Sequence, residues 1–271
     1  MLHHLQGTLA YLNYHHLSDF EELKHYVSTR HGGVSKGTFS SLNISLGTAD
    51  EQSAILENRH RIAQMMGVSD KRLIFPRQTH QDQIRCITAT SLAQEANALE
   101  SYLQCTDALI TQEKGCCISV ISADCVPVLF FDPVQQAIGA AHGGWRGTVQ
   151  KIAQKTALMM QTTFGTKPED LRVGIGPSIG PKVYEVGTEV IEAVEKAFGT
   201  KKGLIHQETK AGKGIFDLWE ANRRQLLDIG VKEANIECAE ICTYTHHELF
   251  FSARRLNGKG GRFASGIMLT H

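Results

Sequence analysis

The sequence predicts a single α/β domain spanning residues 1–271, with a central mixed β-sheet and helices packed on its faces. Short apolar runs recur through the middle and end of the chain, several without polar alternation, and read as strands buried on both faces. Stretches of helical period lie between them. No repeat, low-complexity tract or Pro/Ser-rich linker divides the 271 residues, and the six prolines are scattered, so the length fits one large domain.

The first well-defined helix runs from Asp50, a good N-cap residue, through Ala54, Ile55, Ile62, Ala63 and Met66 to a stop at Gly67. Strand-like runs follow at residues 73–75, 83–87, 108–110, 116–121, 126–131 and 137–141. A helix is expected from Thr148 to Phe164, closed by Gly165, and then a strand over residues 171–176 that ends in a Gly/Pro turn. Helices near Thr188–Phe198 and Phe216–Ile229 come next. The tail reads as strands over residues 236–243, 249–254 and 262–269, with Asn257-Gly-Lys-Gly-Gly as a hairpin turn.

Composition excludes several classes of function. Apolar residues make up 42% and charged residues 21%, as in an ordinary globular protein. The 28 basic residues balance 28 acidic ones, so nothing suggests the broad basic surface that a nucleic-acid backbone requires, and the partner is expected to be a small molecule. No apolar stretch reaches the length of a membrane helix, and Met1-Leu-His-His-Leu-Gln lacks the basic and apolar regions of a signal peptide. A cytoplasmic protein is expected. Its seven cysteines, an odd set in a long chain, are expected as thiols without a structural disulfide.

Three segments place a potential metal ligand at the edge of a strand: Arg77-Gln-Thr-His80, Ser122-Ala-Asp-Cys125 and Ala140-Ala-His142-Gly-Gly-Trp-Arg-Gly. Small residues around two of them allow close approach, and Gly143-Gly144 can adopt backbone angles that other residues avoid. Each residue also has a plain reading, since a lone His is usually hydrogen-bonded filler and a lone Cys beside Val-Pro-Val is usually core. Separations of 45 and 17 residues match no zinc-finger spacing.

Six ordered motifs resolve the ambiguity: Thr29-Arg-His-Gly-Gly-Val-Ser35, Gln78-Thr-His80, Ala123-Asp-Cys-Val-Pro-Val128, Ala141-His-Gly-Gly-Trp-Arg-Gly147, Gly174-Ile-Gly-Pro-Ser-Ile-Gly180 and Phe250-Phe-Ser-Ala-Arg-Arg255. Through them the chain resembles, over nearly its whole length, the YfiH-like family, long labelled laccase-domain or polyphenol oxidase and associated with zinc-dependent purine nucleoside phosphorolysis. The resemblance implies a YfiH-like catalytic domain with His80, Cys125 and His142 as ligands of Zn²⁺. It implies adenosine, inosine, guanosine and S-methyl-5′-thioadenosine with inorganic phosphate as substrates, and adenosine deamination as an accompanying activity. Two imidazoles and one thiolate suit zinc, and three protein ligands leave a position for water or substrate.

Guanidinium groups bind phosphate through paired hydrogen bonds, which makes Arg30, Arg146, Arg254 and Arg255 anion-binding candidates, Arg146 first among them. His31, Gln78 and Asp124 are candidates for contacting substrate or orienting ligands. Trp145 can stack on a purine or belong to the core. His246-His247 reads as a solvent-facing pair. Gly174–Gly180 lacks the Lys-Ser/Thr of a P-loop and the register of a dinucleotide fold, and reads as a substrate-lining turn.

Three rivals stand beside this reading. Blue multicopper oxidases use repeated His-x-His pairs, which this chain lacks, although copper can substitute for zinc on such donors. A cysteine hydrolase would use Cys125 as nucleophile and His142 as base, as a wider resemblance to bacterial deamidase toxins suggests, but it leaves His80 without a role. A non-catalytic zinc module conflicts with an open coordination position. The zinc cytidine-deaminase signature is absent.

Overall fold

The runs that alternate least are those with both faces covered. A computed structural model of the chain describes residues 1–270. In order, its elements are β1 (Leu2–Gln6), β2 (Leu9–Asn13), β3 (Leu23–Ser28), α1 (Gln52–Met66), β4 (Leu73–Ile74), β5 (Ile84–Ile87), α2 (Ala89–Leu92), α3 (Ala96–Tyr102) and β6 (Ala108–Thr111). There follow β7 (Cys117–Ser122), β8 (Val126–Asp132), β9 (Ala137–Gly143), α4 (Trp145–Val149), α5 (Ile152–Phe164), β10 (Arg172–Ile175), β11 (Glu185–Val186) and α6 (Thr188–Phe198). The last are β12 (Ile205–His206), β13 (Gly214–Phe216), α7 (Leu218–Leu227), β14 (Ile236–Cys238) and β15 (Phe263–Leu269).

The α/β class holds, but the strands divide between two six-stranded mixed sheets in place of one. Their orders are β1-β2-β3-β15-β7-β4 and β14-β10-β8-β9-β6-β5, and β11-β13-β12 form a small third sheet. On β8, Val126, Val128 and Phe130 join Ala153, Ala157 and Met160 of α5 and Ala221 of α7 in one core. Leu129 and Phe131, on the opposite face, meet Ile118 and Val120 of β7 and Phe263 and Ile267 of β15. The far side of that second sheet, including Tyr26 and Ala264, packs on Ile62, Ala63 and Met66 of α1. The order of layers is therefore helices, sheet, sheet, helix. Burying side chains on both sides of β8 removes the alternation a half-exposed strand would show, and each large apolar residue contributes roughly 1.5–3 kcal/mol.

Several boundaries differ from expectation. Glu51, not Asp50, occupies the N-cap of α1, because the Asp50 carboxylate is engaged by the Ser35 hydroxyl and the Asn43 amide. The helix expected over residues 148–164 is two, α4 and α5, broken at Lys151 in a left-handed conformation (φ 67°). Gly67 and Gly165 do terminate their helices with left-handed backbones. The run over 236–243 is a strand only for its first three residues. Residues 249–254 form no strand; the Arg254 N–H donates to the Asp124 carboxylate instead of to a ladder. Asn257–Gly261 is not a hairpin turn, since β15 pairs with β3 and β7.

The Gly174–Gly180 motif is a packing device. A Cβ on Gly174 would lie 2.5 Å from the Tyr14 ring, one on Gly176 2.6 Å from Pro127, and one on Gly180 3.0 Å from Trp219. Gly174→Ala is therefore expected to destabilise the fold by about 1–3 kcal/mol, lowering Tm by roughly 2–4 °C per kcal/mol. An unchanged thermal melt would refute this account of the motif.

Candidate metal centre

Strand register brings distant residues together. The β8–β9 hairpin aligns Val126 with Gly143 and Pro127 with His142, so Cys125, just before β8, sits across from the end of β9. β6 flanks β9 on the other side with Ala108 opposite Ala141, and the His142 N–H donates to the Asp107 carbonyl at 2.8 Å. β5 runs parallel to β6, and the loop entering β5 carries His80. One ligand atom from each of His80, Cys125 and His142 lies within 4.8 Å of the others. The two imidazoles meet edge to face, with centroids 4.9 Å apart and planes at 79°.

Gly144 keeps this cluster open. A Cβ there would stand 3.0 Å from Cys125 Sγ and 3.2 Å from His80 Cδ2. Its φ is −69°, and Gly143 is likewise outside the left-handed region, so space rather than unusual backbone angles explains the Gly-Gly pair. The left-handed residues at the site are His80 (φ 62°) and Asp124 (φ 84°), a conformation that costs a non-glycine residue about 1–3 kcal/mol.

Two buried carboxylates hold those turns. Asp107 accepts from the backbone N–H groups of Thr79, His80 and Gln81 at 2.9–3.0 Å, from the Thr79 hydroxyl at 3.3 Å and from His142 Nδ1 at 2.9 Å. Burial opposes its charge, but these donors outweigh burial and hold its pKa below the ordinary carboxylate value. Asp124 accepts from the Thr243 hydroxyl (2.6 Å), the Ser252 hydroxyl (3.0 Å) and the Arg254 N–H (2.6 Å). Sequence reasoning missed Asp107; its only signal is a lone acidic residue entering an apolar strand.

Burial also opposes ionisation of the Cys125 thiol, yet attraction to His142 and hydrogen bonds with both imidazoles bring it down from 9 to about 6. Burial works against the His142 imidazolium too, and is outweighed by Cys125 and Asp107, which raise it to about 9. The charged forms of Cys125 and His142 thus stabilise one another.

The remaining candidates separate. Arg146 is exposed and lines, with Thr79, His80, Gln81 and Gln150, a cavity of about 630 Å³. Its guanidinium lies 4.2 Å from the ring of half-buried Trp145 and 3.8 Å from Glu189. Arg30 instead clamps loops, donating to the carbonyls of Ser40 and His247 over the Phe251 ring. His31 binds the Glu248 carbonyl at 2.5 Å. Gln78 pairs through its amide with both backbone groups of Ile121 at 2.8 Å, a structural use. Arg254 places both terminal nitrogens 3.1 Å from the Glu185 carbonyl and its guanidinium over Tyr184, while Arg255 lies over Tyr244. His246 bonds the Cys242 carbonyl and is exposed.

Two further residues border the site without any motif to announce them. Burial and the negative charge of Cys125 push the Tyr184 phenol up. Burial lowers the Arg262 guanidinium against the pull of Cys125 and Asp124, and its nitrogens cap the carbonyls of Gly258, Gly260 and Gly261.

Fold and site together define a layered α/β protein with one His/Cys/His cluster able to hold a metal ion. The chain belongs to the family described as multi-copper polyphenol oxidoreductase laccase, whose profile matches residues 24–270. A protein named purine nucleoside phosphorylase from Bacteroides thetaiotaomicron is 43% identical over 259 residues, covering 95% of this chain and 96% of its own. One named adenosine deaminase RL5, from an unknown prokaryotic organism, is 34% identical over 247 residues, or 91% and 94% of the two chains. The crystal structure of YlmD from Geobacillus stearothermophilus superposes with a TM-score of 0.89 at 33% identity, covering 99% of both chains. Among the described residues, no helix is long and apolar enough to cross a membrane, and all seven thiols are free.

The thiolate makes a checkable statement. Alkylation of Cys125 in metal-free protein, followed by mass spectrometry of its peptide, should rise through a midpoint near pH 6, because only the ionised form attacks. A midpoint near 9 would show that the imidazoles do not stabilise the thiolate.

Proposed function

We propose that the chain is a zinc-dependent purine nucleoside phosphorylase. In this reading it converts adenosine, inosine, guanosine or S-methyl-5′-thioadenosine, with phosphate, to free base and the corresponding pentose 1-phosphate, and it also deaminates adenosine. The observation that carries the reading is the convergence of His80, Cys125 and His142 from three separate segments onto one point beside a cavity lined by Arg146. The names of the relatives, purine nucleoside phosphorylase and adenosine deaminase, support it.

The donor set fits Zn²⁺, since two imidazoles and a thiolate are borderline-to-soft ligands and three of them leave a fourth position open. Copper also binds such donors. Bound there, the ion supplies a Lewis-acidic positive charge that polarises an oxygen. Asp107 keeps the Nδ1 proton on His142 and so leaves Nε2 as the ligating nitrogen. Arg146 draws phosphate into the cavity through charge-assisted hydrogen bonds. In phosphorolysis a phosphate oxygen bonds to C1′ as the C1′–N9 bond breaks, and its electron pair leaves on the purine, which takes up a proton. In deamination water adds at C6 and ammonia departs. Free thiols suit a reducing compartment, and we place the enzyme in the cytoplasm.

A specific observation favours a second reading. Cys125, His142 and Asp107 also form a thiolate–imidazolium pair steadied by a carboxylate, the arrangement of a cysteine nucleophile with its base. His80 separates the two. Incubation with inosine should yield hypoxanthine and ribose 1-phosphate only when phosphate is present, and His80→Ala and Cys125→Ala should each remove zinc and turnover from a folded chain. Full phosphorolysis by His80→Ala would reject the metal role of His80, and loss of inosine cleavage with Cys125→Ala alone would favour Cys125 as a nucleophile.

Arg146→Ala should raise the phosphate KM by about tenfold, the loss of one charge-assisted interaction, with little effect on the melting temperature. Phosphate kinetics identical to the parent protein would reject its role.

A further inference from the structure

We infer that Asp107 is the positioning residue of the metal centre: one buried carboxylate fixes both histidine ligands, selecting the ring nitrogen of His142 and setting the turn that presents His80. This rests on the metal reading above and assigns a role to a residue outside the ligand set.

Asp107 is fully buried, where an unsatisfied carboxylate would be costly. All of its side-chain partners belong to the two ligand-bearing segments. Oδ2 accepts from the N–H groups of Thr79 and Gln81 at 3.0 Å and from the Thr79 hydroxyl at 3.3 Å. Oδ1 accepts from the His80 N–H and from His142 Nδ1, each at 2.9 Å. Three successive N–H groups pointing at one carboxylate compensate the left-handed backbone at His80 (φ 62°). The same oxygen that holds the His80 N–H also holds the His142 ring. A carboxylate only accepts, so Nδ1 must carry the proton, and Nε2 is left with the lone pair that a metal requires. Through its own carbonyl, Asp107 also anchors the His142 N–H.

An amide cannot replace this carboxylate. In Asp107→Asn, an amide nitrogen in the place of Oδ2 would face the N–H groups of Thr79 and Gln81. In the place of Oδ1 it would face the His80 N–H and donate to Nδ1, driving the ring proton to Nε2 and turning the lone pair away from the site.

The test compares zinc affinity, read by competition with a chromophoric chelator, for the parent chain and Asp107→Asn, alongside the thermal melts of both metal-free proteins. The expected result is a cooperative melt for both and a roughly 10–100-fold weaker zinc affinity for Asp107→Asn. Equal affinities would overturn the inference and leave the metal reading intact. A parent chain that takes up no zinc would remove the metal reading and the inference together. If Asp107→Asn does not melt cooperatively, ¹⁵N-histidine NMR of the zinc-loaded parent chain decides. A proton on His142 Nδ1, with the signal assigned by its loss in His142→Ala, supports the role, and zinc-bound Nδ1 overturns it.

Discussion

The site depends on the register of three strands. With β9 held between β8 and β6, His142 lies opposite Pro127 on one side and beside Asp107 on the other. Side-chain period in a strand is two, so a slip of one residue would turn His142 from the cluster face to the other face. Register is fixed by burial on both sheet faces, where Phe130 and Phe131 point into different cores. The packing that stabilises the layers is therefore the same packing that aims His142 into the cluster.

What the strands cannot do is hold His80 and Cys125, which lie in loops. Each follows or occupies a left-handed position, at His80 itself and at Asp124; the Asp107 carboxylate accepts the N–H groups of the first turn, and the Asp124 carboxylate ties the second to the tail. Strained backbone persists only where its surroundings over-determine it. Asp107 does so with local donors, whereas Asp124 uses Thr243, Ser252 and Arg254 from the tail. The tail thereby becomes a wall of the site, which explains why residues 249–254 forgo a strand despite their apolar pattern.

Legibility followed the physics of each feature. Helix ends marked by Gly67 and Gly165 were readable because glycine tolerates the left-handed turn at low cost. The break at Lys151 carried no such mark: it is set from outside, by Asn222 and Gln225 of α7 bonding Thr148 and by Phe198 beneath the Lys151 ammonium. The strands β1 to β3 give little local signal, because β1 is largely exposed at a sheet edge and its Leu-His-His-Leu run lacks clear alternation. Two sheets look like one in sequence, since neither sheet order nor the layer between them has a local signature. The three candidate ligands were legible as residue types at strand edges and through the motif resemblance, but spacing alone gave no reason for them to meet. That reason is long-range pairing, which also hid Asp107.

Charge distribution then separates the holding residues from those free to meet a ligand. Arg30 and Arg262 spend their guanidinium groups on loop carbonyls, and Arg254 spends its own on Glu185. Buried negative charge at Asp107 and Cys125 faces the single imidazole of His142, which hydrogen-bonds both. Arg146 differs from the other candidates in lining the cavity with its guanidinium exposed and only a distant carboxylate, Glu189, at 3.8 Å. Such an exposed pair is worth at most about 1 kcal/mol, less than a charge-assisted bond to phosphate. An arriving anion can therefore displace Glu189, while displacing the carbonyls around Arg30 would leave the Ser40 and His247 turns without their donors.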